Sequence, residues 1–195
     1  MTGPEAEGAE GLKEKPMQRI PAKIRNKAKK IKLLLLDVDG VLTDGGIVMN
    51  DRGEEIKRFD VRDGHGIRLL LRAGIQIALI TGRRSRVVSR RARDLGIRTV
   101  YQQVYNKLDV YQKIKRKSGL KDQEIAYAGD DIVDLPVLKR VGLAVTVRDA
   151  WAELKREVHY VTATGGGRGA VREIVELLLK AQGRWKGLTR RYYAS

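Results

Sequence analysis

The sequence predicts an α/β fold: a three-layer, Rossmann-like domain in which one central parallel sheet is covered by helices on both faces. Three observations carry that prediction. Short apolar runs alternate with helix-patterned segments from residue 31 to residue 182. The runs, such as "LLLL" at 33–36 and "IQIALI" at 75–80, are continuously apolar, which suits strands buried on both faces. Gly96, Gly119 and Gly142 each fall just past a helical stretch, where a left-handed C-cap takes glycine.

Residues 1–30 read as a flexible basic tail: low hydrophobicity, early Gly and Pro, then charge. The first strand is 33–36. The interval before the next strand, 75–80, is too long for one helix. Within it "GGIVMNDRGEEIKRF" reads as a β-hairpin over 45–59, turning at Asn50–Gly53. A loop at 60–64 and a helix at 65–73 follow. Further strands are expected at 98–101, 124–128, 143–147 and 158–161, and further helices at 85–95, 107–118, 132–140, 149–156 and 169–182. Residues 183–195 form a second basic tail. Neither 44–64 nor 108–124 has room for a cap domain over the sheet, so the fold is expected to be capless.

A chain of 195 residues, 42 % of them hydrophobic, suits one domain with a real core. The absence of cysteine excludes disulfides, thiolate catalysis and Cys-ligated zinc, and two histidines make a His-rich metal site a poor reading. No 18-residue apolar run exists, so no membrane insertion is expected. The opening "MTGPEAEGAEG" lacks the apolar core of a secretory signal, and the compartment implied is the cytoplasm. The net charge is +16. Residues 1–30 and 183–195 hold twelve basic and four acidic residues, half of that excess. Such tails are more often solvated arms than nucleic-acid ligands. The remainder, on the folded part, suits an anionic substrate.

In a strand, residues i and i+2 face the same way, so Asp37 and Asp39 in "LLLLDVDGVLTD" project together while Val38 points into the core. Ligands of open parallel sheets bind outside the carboxyl ends of the strands. The same rule places Thr81 and Arg83 of "TGRR" at the next tip, and Asp130 and Asp131 of "GDDIVD" at another, with Asp134 one turn on. Lys107 opens the intervening helix. Taken singly, each has an ordinary reading: an N-cap, a solvated charge, a helix-start acid. Gathered at successive strand ends they suit phosphoryl transfer. Oxygen ligands without His or Cys select magnesium. One aspartate can attack phosphorus while a second carboxyl moves the proton. Thr81 and Lys107 can hold the oxygens that gather charge.

In that order, "DVDGVLTD", "LITGR", "NK" and "GDDIVDLPV" resemble the four signatures of haloacid-dehalogenase-superfamily phosphatases. "FDVRDGHGI", "VYQQVYNK" and "GGGRGAVREIVELLLKAQG" extend the likeness over residues 31–183, toward the members that act on an acidic eight-carbon sugar phosphate of lipopolysaccharide synthesis. The resemblance implies that Asp37 is the nucleophile and Asp39 the acid/base. It implies magnesium on Asp37, Asp130, Asp131 and the Asp39 carbonyl, and phosphate on Thr81 and Lys107. The segment Asp60, Val61, Arg62, Asp63 and Gly64, with Asp39, Lys107, Arg83 and Arg91, would meet the sugar. It also implies a homotetramer. Because no cap closes the site in cis, a neighbour is expected to supply a wall, through the hairpin or through Arg168 after the "GGG" run.

His65 reads first as a loop residue and His159 as a structural histidine. "GGGRG" is no Walker loop, since no Lys-Ser pair follows. Six arginines crowd residues 83–93, and only Arg83 and Arg91 are expected at the site. Two rivals remain. A phospho-acceptor receiver would need the acidic pair, Thr and Lys in a different order. A nucleic-acid-binding protein using the tails would need aromatic platforms, and only Trp185, Tyr192 and Tyr193 offer any. Within the phosphatase class, a nine-carbon acid-sugar phosphate is the alternative substrate.

Overall fold

The computed structural model describes residues 20–193. In chain order the strands are β1 (Leu33–Leu36), β2 (Val48–Met49), β3 (Glu55–Ile56), β4 (Gln76–Ile80), β5 (Thr99–Tyr101), β6 (Ile125–Ala128), β7 (Leu143–Thr146) and β8 (Tyr160–Val161). The helices are α1 (Ala22–Ala28), α2 (Val61–Arg72), α3 (Arg86–Leu95), α4 (Lys107–Ser118), α5 (Leu135–Leu138), α6 (Ala170–Ala181) and α7 (Trp185–Thr189). Six strands form one sheet in the order β5-β4-β1-β6-β7-β8, and every pair in it is parallel. β2 and β3 form a separate antiparallel hairpin.

The all-apolar runs divide between two cores, one on each face of the sheet. Leu34, Leu36, Ile77, Leu79, Ala126 and Ala128 pack with Ile67, Leu70, Val88, Ile174 and Leu178. Leu33, Leu35, Ala78, Ile80, Ile125 and Tyr127 pack with Tyr111, Ile114, Val137 and Leu138 on the opposite face. The two-residue alternation explains why a central strand reads "LLLL": each face needs every second residue.

Four expectations differ from what is observed. Residues 22–28 are helical and not part of a free tail, because Ala28 is buried, Lys27 donates to the Gly142 carbonyl, and Gln182 donates to the Ala28 and Ile31 carbonyls. The remainder of the expected N-terminal tail, 1–19, lies outside the described residues. Residues 60–64 are not a loop: Asp60 accepts from the Arg62 N–H as an N-cap, so α2 starts at Val61. The helix expected over 149–156 shrinks to one 3₁₀ turn at Leu154–Arg156. There Asp149 accepts from Gly166 N–H and Trp151 N–H donates to the Asp130 carbonyl, so both are committed elsewhere. Finally, residues 185–192 are ordered, with α7 followed by a 3₁₀ turn and Trp185 packed against the Arg172 and Lys180 cations. The hairpin is as expected, with Asn50 Oδ1 accepting from Arg52 and Glu54 to shape its turn.

Candidate active site

Register builds the site. Leu36 of β1 pairs with Leu79 of β4 and Ala128 of β6, so the residues that follow these strands emerge side by side at the carboxyl edge. Asp37 N–H donates to the Ala128 carbonyl, which extends that pairing one step into the mouth. Gly40 turns the chain at a φ of +91°, and a Cβ there would lie 2.0 Å from Asp130 Oδ2. Only glycine permits that approach of the β6 tip to the β1 tip.

Lys107, at the start of α4, is buried and bridges two carboxylates: its Nζ lies 3.0 Å from Asp37 Oδ2 and 2.6 Å from Asp134 Oδ1. Burial alone would lower its pKa, but Asp37 and Asp134 outweigh burial and raise it. Asp134 is fully used. Its Oδ1 also accepts from the Tyr127 hydroxyl, and its Oδ2 accepts from the Asp130 and Asp131 N–H groups. Asp130 is the opposite case, with its Oδ1 buried and without a hydrogen-bond partner. Burial, then the Asp37 and Asp134 charges, push the Asp130 carboxyl up, and burial pushes Asp37 up against the pull of Lys107.

Asp37, Asp130 and Asp134 offer oxygens within 4.8 Å of one another. Because Asp134 has no oxygen to spare, the free donors are Asp37 and Asp130. A buried carboxylate oxygen without a donor, facing a second carboxylate, is a hard, anionic pair of the kind magnesium fits. Asp131 is exposed and outside this cluster; its Oδ1 caps Ile132 N–H. Thr81 is buried one residue past β4, its hydroxyl accepting from Arg83 N–H.

The remaining expected residues divide. Asp39 is bonded by Lys57, and Arg83 Nη2 lies 3.6 Å from Glu55. Arg91 runs back from α3 under α2. A Cβ on Gly64 would be 2.4 Å from its Nη2, its guanidinium lies 5.6 Å from the Phe59 ring centre, and its buried Nε has no partner. Asp60 chelates Arg62, whose Nη2 also donates to the Arg168 carbonyl. Val61 is exposed. Asp63 is turned inward as a clamp on another helix: it accepts from Gly169 and Arg172 N–H at the start of α6. Of the glycines after Thr164, Gly166 and Gly167 pack on residues 40–44 of the same chain. The Arg168 side chain is exposed.

His65 reaches Tyr192 (Nε2 to OH 3.0 Å), and His159 Nδ1 accepts from Ala144 N–H, the structural role expected of it. Sequence reasoning missed Lys57, Glu55, Ser85 and Tyr127. The signal available for the first two was their alternation with Ile56.

A family model for haloacid dehalogenase-like hydrolases matches residues 59–142. The 3-deoxy-D-manno-octulosonate 8-phosphate phosphatase of Escherichia coli K12 is 48 % identical over 165 residues, 85 % of this chain and 88 % of that protein. The chain belongs to the 3-deoxy-D-manno-octulosonate 8-phosphate phosphatase family. Among solved structures, the family's Yersinia pestis member matches with a TM-score of 0.84 and 46 % identity, over 85 % of this chain and 90 % of that one. The Moraxella catarrhalis member, determined with magnesium, phosphate and the sugar acid, matches with a TM-score of 0.85 and 40 % identity, over 87 % of this chain and 98 % of that one. Membership makes the chain a phosphoric monoester hydrolase of the haloacid dehalogenase type. Among the described residues no helix is long and apolar enough to cross a membrane.

Proposed function

We propose that this chain is a magnesium-dependent phosphatase that hydrolyses 3-deoxy-D-manno-octulosonate 8-phosphate to the free sugar acid and phosphate, through an aspartyl phosphate on Asp37. The observation that carries the reading is the buried group Asp37–Lys107–Asp134 set beside the unpartnered Asp130 oxygen. Lys107 opposes the burial that pushes the Asp37 carboxyl up, and offers an ammonium to the phosphoryl oxygens. An Asp37 oxygen bonds to phosphorus as the ester P–O bond breaks, and Asp39 gives its proton to the departing sugar oxygen, which leaves as the free hydroxyl. Asp39 then takes a proton from the water that attacks phosphorus, and Asp37 is released. Thr81 holds a phosphoryl oxygen with its hydroxyl. When bound by Asp37, Asp130 and the Asp39 carbonyl, magnesium supplies positive charge to the phosphoryl group.

Arg83 and Arg91 are the cations for the sugar carboxylate, a role suited to a planar, bidentate donor. The buried and unpaired Arg91 Nε supports its part. Asp60, Val61, Arg62 and Gly64 form the first turn of α2 beside them, and Asp63 acts by holding the 165–169 segment in place. We infer that the working form is a homo-oligomer, a tetramer by family likeness. The hairpin supports this, since Ile47, Val48, Met49 and Ile56 are all more than half exposed on it, a surface that wants covering. The test is phosphate release from the octulosonate phosphate with magnesium and with EDTA. The reading requires turnover that EDTA removes and magnesium restores; turnover indifferent to EDTA contradicts it.

A further inference from the structure

The carboxylate of Asp39 meets a lysine that no motif marks. Glu55 of β3 and Lys57, the residue just past it, flank Ile56, and both are turned inward while Ile56 faces out. The Lys57 side chain is only 1 % exposed. Its ammonium bonds Asp39 Oδ1 and lies 3.1 Å from Glu55 Oε1. Glu55 in turn bonds the Ser85 hydroxyl at the start of α3 and approaches Arg83. Asp39, Lys57, Glu55, Ser85 and Arg83 thus form one polar chain from the tip of β1, across the hairpin, to the tip of β4.

Such a chain is costly as simple anchorage. A lysine taken wholly out of water loses hydration that its partners must replace, and a methionine would anchor an apolar hairpin more cheaply. We propose that Lys57 is a positioning residue for the proton-transferring carboxylate. By occupying Oδ1 of Asp39 it fixes the rotamer and leaves Oδ2 as the oxygen presented to the leaving group and then to water. This rests on the phosphatase reading above and deepens it, because the hairpin becomes part of the catalytic apparatus as well as a docking surface.

The leaving group separates positioning from anchorage. A sugar alkoxide needs a proton to depart, whereas p-nitrophenolate does not. Lys57→Met should therefore cost about 10- to 100-fold in kcat on the sugar phosphate, within the range of general acid–base catalysis, with KM little changed. On p-nitrophenyl phosphate it should keep a rapid first-turnover burst of nitrophenolate near the wild-type rate, followed by slow steady turnover while the aspartyl phosphate waits for water. Lys57→Arg, which keeps the cation, should recover most of the sugar-phosphate rate. Wild-type protein is measured in parallel. If it shows no phosphatase turnover, the functional reading fails and takes this inference with it. If wild type turns over but Lys57→Met loses the burst in step with the sugar-phosphate rate, or loses neither, the positioning role is overturned. If Lys57→Met does not fold, Lys57→Gln decides, since a neutral amide one atom shorter loosens the hold on Asp39: an anchoring role leaves its two substrates equally affected, whereas a positioning role slows the sugar phosphate and spares the burst.

Discussion

Lys107 Nζ sits 3.0 Å from Asp37 Oδ2 and 2.6 Å from Asp134 Oδ1, so a single buried ammonium joins the proposed nucleophile to a carboxylate that is otherwise fully hydrogen-bonded. Removing it leaves two buried acids facing each other. Lys107→Met should destabilise the fold by about 3–5 kcal/mol, the cost of a buried charge stripped of its partner, and abolish turnover. Urea denaturation and phosphate release check the two arms. A stable variant would mean that Asp37 and Asp134 do not depend on this lysine.

Asp37→Asn should be inactive, since an amide neither attacks phosphorus readily nor holds a cation well. Asp39→Asn should also lose nearly all steady turnover, yet it retains the nucleophile. Mass spectrometry after rapid quenching with a nitrophenyl ester should find about 80 Da added to Asp39→Asn, the mass of a phosphoryl group, and nothing added to Asp37→Asn. Near-normal activity in Asp37→Asn would remove the covalent route.

The strands and the mouth were legible because their signals are local. A run such as Leu33–Leu36 reports burial on both faces, and Asp37, Asp39, Thr81 and Asp130 stand at positions that strand ends dictate, with Lys107 opening the helix between two of those strands. What was not legible depends on partners distant in sequence. Asp63 read as a residue facing the sugar, but its oxygens meet N–H groups more than a hundred positions later. Lys57 carries no motif, and its alternation with Ile56 says only that it turns inward, not that the hairpin folds it onto Asp39, eighteen positions earlier. The α1 helix likewise takes its place from Gly142 and Gln182.

Asp63 gives a prediction in pH. Burial pushes its carboxyl from an ordinary 3.8 up to about 6, against the pull of the Arg172 and Gly169 N–H groups. Between those values the folded chain holds a proton that the unfolded chain has released, so this group's contribution to stability falls as pH rises through that window. Asp63→Asn should flatten that component. Urea midpoints between pH 4 and pH 6.5, compared with wild type, measure it. A variant whose profile parallels wild type would show that Asp63 is already ionised throughout.

The exposed apolar hairpin predicts assembly. Ile47→Asp with Ile56→Asp should convert an oligomer of wild-type chains to a folded monomer by light scattering, with loss of sugar-phosphate turnover. Both changes fall on side chains more than half exposed in the single chain, so they spare its own core. A monomeric wild type, or a fully active monomeric variant, would refute the neighbour's contribution.

The most direct measurement is kcat/KM for 3-deoxy-D-manno-octulosonate 8-phosphate beside a nine-carbon ulosonate 9-phosphate and simple hexose phosphates, for wild type and for Arg83→Ala and Arg91→Ala. The account predicts that wild type prefers the eight-carbon acid by at least ~100-fold over hexose phosphates, the scale of about two charge-assisted hydrogen bonds. It also predicts that each arginine variant loses most of that preference while keeping hydrolysis of a small aryl ester. Hexose phosphates ranking first, or a preference untouched by both substitutions, would contradict it.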